Sequence, residues 1–359
     1  MKNDIRQSGR SRNDFTQLLI PIIAIVSLFV FNMLRDPSFF SIALTVNNEG
    51  NYVLAGNLIS ILNSASELAI LAMGMTLVTS SSGGQDISVG ATAAIAGSVF
   101  VSALRNGNIT PPVVLLGFLA CCAVSILVGA FNGVLVAVFK IQPMIATLIL
   151  FTSGRSIAYW INGGATPTVS SPIIKAIGGF IPGVPVPTPV FIVIICCLAF
   201  FLLFKWTNLG FYTQVVGINQ RAAHLNGINS TWIKILTFMI LGICVAIAGC
   251  IRVSRLGLIN HETILAEIEM DAILAVAIGG NALSGGKFKM SGSLIGAYAI
   301  QALTTTLYAM KVSSMEIKAY KAVVIILMVF IGSPVVKDTA NRLLRKLTTK
   351  KIPAIIERS

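Results

Sequence analysis

Ten stretches of apolar residues, separated by short polar or charged segments, run along the 359-residue chain: 18–34, 58–79, 87–104, 113–139, 144–161, 188–204, 233–251, 272–283, 294–310 and 322–331. A helix needs ~20 such residues to cross a hydrocarbon core ~30 Å thick. Barrel strands would instead leave alternating segments of about ten residues, and the runs are too long and too evenly apolar for that. The pattern therefore predicts an all-α integral membrane protein of about ten transmembrane helices. Stretches 272–283 and 322–331 are too short to span as they stand. They must extend through flanking charges or stop partway, and broken helices are tolerated at membrane depth only against protein or a water-lined cavity.

Composition agrees. Apolar residues make up 55% of the chain and charged residues 11%, with mean hydropathy +0.86, whereas a soluble domain carries about 25% charged residues. The net charge of +13 would suit nucleic acid in a soluble protein. In a membrane protein it follows from Lys and Arg collecting on the cytoplasmic side, so lipid is the expected surrounding and no nucleic-acid partner is implied. With the amino terminus inside, 17 of the 26 Lys and Arg fall inside and eight outside. Both termini are thus expected in the cytoplasm, as basic tails 1–17 and 335–359 flanking a membrane domain at 18–334. Stretch 18–34 lacks a small-residue cleavage site and reads as a retained first span. The cysteines at 121, 122, 196, 197, 244 and 250 lie in apolar runs without metal-binding spacing, and read as compact hydrophobes rather than a disulfide framework.

Segments 35–57 and 162–187 become outer loops. The second carries Pro167, Pro172, Pro182, Pro185 and Pro187, followed by Pro189. Those prolines preclude one continuous helix and predict a long irregular surface: a lid, a docking platform or a plain connector. An internal echo is also visible. Gly83-Gly84 followed by Gly90 matches Gly285-Gly286 followed by Gly292, 202 residues later.

Candidate chemistry is sparse. Residues 281–288 approach a phosphate-binding loop, but the first Gly and the Ser/Thr after Lys287 are missing, so phosphate cradling and magnesium ligation both fail. His224 and His261 sit in separate loops. No catalytic residue, metal site or cofactor is expected, and the chain is not read as an enzyme. Asp86 and Ser88 suit the cap of a helix beginning near Ile87; together with Gln85 they also suit the wall of a translocation cavity. Asn63 and Glu67 lie four apart, on one helix face, toward a pathway; Glu67 also reads as part of a structural ion pair or as a proton site. Arg155, inside a span, reads as part of an ion pair or as reaching to the outer interface. Between the sixth and seventh stretches, Gly217 and Gly227 bracket a short helix with Arg221, His224 and the small pair Ala222 and Ala223. Such a helix fits a groove in a partner or forms a solvated loop.

Three ordered motifs resemble those of a known family, the permease subunits of bacterial ABC importers for monosaccharides of the ribose, xylose and galactose type. Gly83-Gly84-Gln85-Asp86-Ile87-Ser88-Val89-Gly90 is similar to its GG-I-D-L-S-V-G segment. The spacing of Gly217, Asn219, Ala222, Ala223, Gly227 and Ile228 is similar to its cytoplasmic coupling segment, placed here at 207–230. Residues 271–280 with Leu283-Ser284-Gly285-Gly286 are similar to its late-helix signature. Residues 140–150 with Gly154-Arg155 look closest to galactofuranose-type permeases. The resemblance implies a type II importer-like fold in the bacterial inner membrane. It further implies a second permease subunit, identical or different, a cytoplasmic ATP-binding subunit that hydrolyses the ATP, and a periplasmic sugar-binding protein. It also implies that Gly217, Asn219, Arg221, Ala222, Ala223 and Gly227 insert into the ATPase. Gln85 stands where the family has Ile, Glu67 where it has an uncharged residue, and 288–291 lacks the Gly-rich continuation, which leaves the transported sugar open. The alternative is an ion-coupled secondary transporter of a small polar solute using Glu67 and Asp86. A lipid-modifying membrane enzyme is disfavoured, since no cluster of carboxylates or His lies near an interface.

Overall fold

The computed structural model describes residues 21–46, 50–105 and 108–332. The expected tails at 1–17 and 335–359 lie outside these residues, as does the start of stretch 18–34. The described residues are mostly helical. The helices are α1 (Pro21–Arg35), α2 (Asn57–Ser82), α3 (Val89–Arg105), α4 (Pro111–Ala137), α5 (Pro143–Ile161), α6 (Pro172–Gly178), α7 (Thr188–Trp206), α8 (Leu209–Ile218), α9 (Gln220–Leu225), α10 (Ser230–Leu256), α11 (Ile268–Ile278), α12 (Met290–Ala309) and α13 (Ser314–Gly332). Among the described residues, α2, α4, α5, α7 and α10 are long and apolar enough to cross a membrane.

Two expectations are corrected, and the short stretches can be compared with theirs. Segment 35–57 is not simply a loop: β1 (Ala43–Val46) pairs antiparallel with β2 (Tyr52–Ala55), and Leu54 N donates to Pro185 O at 2.9 Å. Segment 162–187 is not irregular throughout. Ser171 caps α6 through Ile173 N, and Pro172 occupies the first helical turn, where a missing N–H costs nothing. Ile174 is fully buried, which pins this helix down against α10. The short stretch 322–331 belongs to a 19-residue helix, α13. Its two lysines are paired: Lys318 Nζ lies 2.7 Å from Glu267 and Lys321 Nζ 2.7 Å from Asp271. The helix on the other short stretch, α11, has 11 residues and rises about 16 Å.

α2 is the axis of the packing. It is buried without interruption from Ala65 to Ser81 and is surrounded by α7, α8, α10, α11 and α12. Hydrocarbon supplies little drive between helices in lipid, so association depends on close approach. Small residues provide it. A Cβ on Gly133 of α4 would fall 2.8 Å from Ile235 Cα of α10, and one on Gly292 of α12 would crowd the Gly279 backbone at the end of α11. Cys121 of α4 meets Cys250 of α10 with the sulfurs 3.3 Å apart and both thiols free.

Candidate functional site

The segment at 83–90 is a polar knot. α2 ends at Gly83 in the left-handed conformation (φ 68°), its amide donating to Thr79 O. Gln85 Nε2 then donates to Leu283 O at 2.8 Å. Asp86 Oδ1 accepts from Ser88 N at 2.8 Å and from Ser88 Oγ at 2.6 Å. Asn132 Nδ2, on α4, donates to Asp86 Oδ2 at 3.2 Å and to Ser88 Oγ at 3.0 Å, while Ile87 N donates to Thr147 Oγ1 of α5. Asp86 and Ser88 are 5% and 0% exposed. Their polar atoms are thus engaged in joining α2, α3, α4 and α5, the arrangement a cap requires. Asn132 and Thr147 carry no local signal in the sequence, since only packing brings α4 and α5 to this segment.

The two echoed glycine turns meet beside this knot. Gly286 N donates to Ser80 O at 3.0 Å, and a Cβ on Gly285 would lie 2.9 Å from Gly83 Cα. Gly217 of α8 closes the third side, where a Cβ would run into Ser80 O and lie 2.6 Å from Gly286 N. Three segments distant in sequence therefore meet backbone to backbone at this point.

From this junction α8 leads into α9. Asn219 caps α9, its Oδ1 accepting from Ala222 N at 3.0 Å, and Gly227 turns the chain with φ 77°. The six residues expected to enter a partner do not share one accessible face. Ala223 is fully buried, and Gly217 is held against Ser80 and Gly286. Of the small pair only Ala223 points in, while Ala222 is half-buried. Arg221 and His224 point out, beside Leu225 and Ile218, which are 88% and 73% exposed.

The opposite end of α2 carries the buried charge. Glu67 has no solvent exposure and pairs with Arg252 at 2.7 Å and Arg255 at 3.3 Å, both on α10. Arg255 Nη2 also donates to Asn63 O at 3.0 Å and Asn63 Oδ1 at 2.8 Å. Asn63 and Glu67 do share one face, but it is turned onto α10. In the sequence Arg252 and Arg255 count only among the eight positive charges on the outer side. The missed signal was their i, i+3 spacing at the end of an apolar helix, in a chain with a carboxylate that had to be neutralised. Arg155 is held within the chain. Its Nη1 donates to the carbonyls of His261, Glu262 and Ile264 at 2.7, 2.9 and 3.3 Å, tying α5 to the turn before α11, and Glu269 closes on the same spot beside Gly90.

Residues 57–332 match a family model described as the branched-chain amino acid transport system / permease component. The chain belongs to this permease family. It is 38% identical over 316 residues to the galactofuranose transporter permease protein YtfT of Escherichia coli (strain K12), covering 87% of this chain and 88% of that one. It is 33% identical to the fructose import permease protein FruF of Bifidobacterium longum (strain NCC 2705), covering 92% and 91%. With the ribose import permease protein RbsC of Escherichia coli (strain K12) it shares 37% identity, covering 81% and 90%. No solved structure matches. The permease is thus a multi-pass membrane protein and a transport component. The match begins at α2 and ends at α13, so it contains the glycine junction, the polar knot and the buried ion pairs.

Proposed function

We propose that the chain forms the translocation pathway of an ATP-driven importer for a monosaccharide, delivered by a periplasmic binding protein. Two permease subunits, ten crossings each with both termini cytoplasmic, would combine with separate ATP-hydrolysing subunits. A monosaccharide is favoured over a branched-chain amino acid by the names of the three relatives, each aligned over at least 81% of this chain.

One observation carries the mechanism: the backbone junction of Gly217, Ser80 and Gly286. The exposed end of α9, with Arg221, His224 and Leu225, is the handle on which an ATPase subunit would pull. A force applied there passes through Gly217 directly into the end of α2 and the turn between α11 and α12. No side chain intervenes to flex, so displacement is transmitted with little loss. ATP drives transport only if the two ATPase states prefer different positions of this handle. Ion coupling through Glu67 and Asp86 is disfavoured, because both carboxylates are buried with partners of their own.

The test is uptake of labelled ribose, fructose and galactofuranose by proteoliposomes containing the permease, its ATPase subunit and its binding protein. Uptake of at least one sugar that requires ATP and both partners is expected. Uptake driven by an ion gradient without the ATPase would defeat the reading.

A further inference from the structure

A pathway wall needs polar atoms that water and solute reach, and Glu67, Asp86 and Ser88 are sealed off. Helices α5 and α7 offer a direct contrast, since each has 19 residues and both are sparsely covered by the rest of the chain. α7 opens onto its surroundings through Ile194, Ile195, Leu198 and Phe201, a face suited to acyl chains. The first half of α5 does the same through Ile145, Leu148 and Ile149. Its second half is mixed: Ile157 and Trp160 are exposed there, but so are three hydroxyl side chains, Thr152, Ser156 and Tyr159, at i, i+4 and i+7.

The Thr152 hydroxyl donates back to Leu148 O and Ile149 O at 3.1 and 2.9 Å, which leaves its oxygen free to accept. The Tyr159 ring packs edge-on against His261 at 5.1 Å, and Arg155, between the two hydroxyls, is fixed to the carbonyls of the 261–264 turn. The row is therefore rigid, rich in acceptors and still open. Polar groups at membrane depth persist where they face protein or a water-filled cavity.

We propose that residues 152–159 form the wall of a hydrated passage and offer hydroxyl contacts to a polyhydroxylated solute. This rests on the transport reading above and places the pathway on α5 rather than at the buried carboxylates.

The test uses single cysteines in the assembled importer in membrane vesicles, probed with a positively charged methanethiosulfonate. The native chain, whose six cysteines lie in apolar runs, serves as the blank. Thr152→Cys, Ser156→Cys and Tyr159→Cys are expected to react at least tenfold faster than Leu198→Cys and Phe201→Cys on α7. Three positions are probed so that a variant absent from the membrane fraction leaves two to read. Rates as slow as those on α7 would overturn the proposal, because the face would then be lipid-covered, its hydroxyls satisfied by the helix itself. Slow rates with Ser156→Cys forming a disulfide between two copies would overturn it too, since a second chain would be covering the face. Labelling requires neither ATP nor sugar. Fast labelling in a preparation without ATP-driven uptake would therefore sink the transport reading and leave the hydrated face intact.

Discussion

At one end α2 is held by charge, with Glu67 gripped by Arg252 and Arg255 of α10. At the other it is held by backbone, with Ser80 O wedged between Gly217 and Gly286. The two fastenings differ in what they tolerate. An ion pair is strong when both partners are present and a liability when one is removed, yet its long arginine side chains can follow a moving helix. A contact between backbones has no slack: it carries displacement, and a single methyl group disrupts it. The charged end is therefore suited to holding α2 and α10 together through a conformational cycle, and the glycine end to imposing that cycle.

The largest expected effect tests the charged end. Glu67→Gln leaves two arginines beside an uncharged amide in a buried site, and breaking a buried pair this way costs about 3–5 kcal/mol. Thermal unfolding of the detergent-purified permease should fall by several degrees. Removing Arg255 as well should restore part of the loss, because one unpaired charge goes with it. An unchanged melting temperature for Glu67→Gln would break the comparison at its first term.

Gly217→Ala tests the other end. The added methyl meets Ser80 O and the Gly286 backbone, neither of which can rotate away, and overpacking of this kind costs about 1–3 kcal/mol. Its functional effect should exceed its effect on stability. ATP-driven uptake is expected to drop at least tenfold while the ATPase subunit still copurifies. Uptake within twofold of the native chain would mean that force does not pass through this contact. A smaller loss belongs to the knot nearby: Ser88→Ala removes the hydroxyl shared by Asp86 and Asn132 and should cost about 1 kcal/mol, read from the same melting curves.

How much of this was legible in the sequence follows from whether one element or several decide each feature. α2, α4, α7 and α10 could be read directly, since an uninterrupted apolar run has one solution in lipid, and the half-length of α11 was visible in the shortness of 272–283. The hairpin at 43–55 was missed because its strands are only four residues each. α6 was hidden because its proline was weighed as a breaker, while at a first turn it is a starter. In the site, the cap formed by Asp86 and Ser88 was readable from local spacing. Its partners Asn132 and Thr147 were not, since only tertiary packing brings α4 and α5 to that spot. The burial of Ala223 is of the same kind: the sequence marks a small-residue face but not the side on which the permease itself occupies it.

That last point sets the mildest prediction on stability and the sharpest on partnership. Leu225, 88% exposed at the end of α9, supports nothing within the chain, and a surface substitution of this sort changes stability by no more than about 0.5 kcal/mol. Leu225→Ser should therefore melt with the native permease. If α9 is the handle, the same change should weaken copurification of the ATPase subunit severalfold, because a large apolar side chain left in water is worth most when a partner covers it. Ala223→Ser, two residues earlier on the inward face, should behave in the opposite way, lowering the melting temperature with little effect on the partner. Identical behaviour of the two variants would mean that the outward and inward faces of α9 have been assigned to the wrong roles.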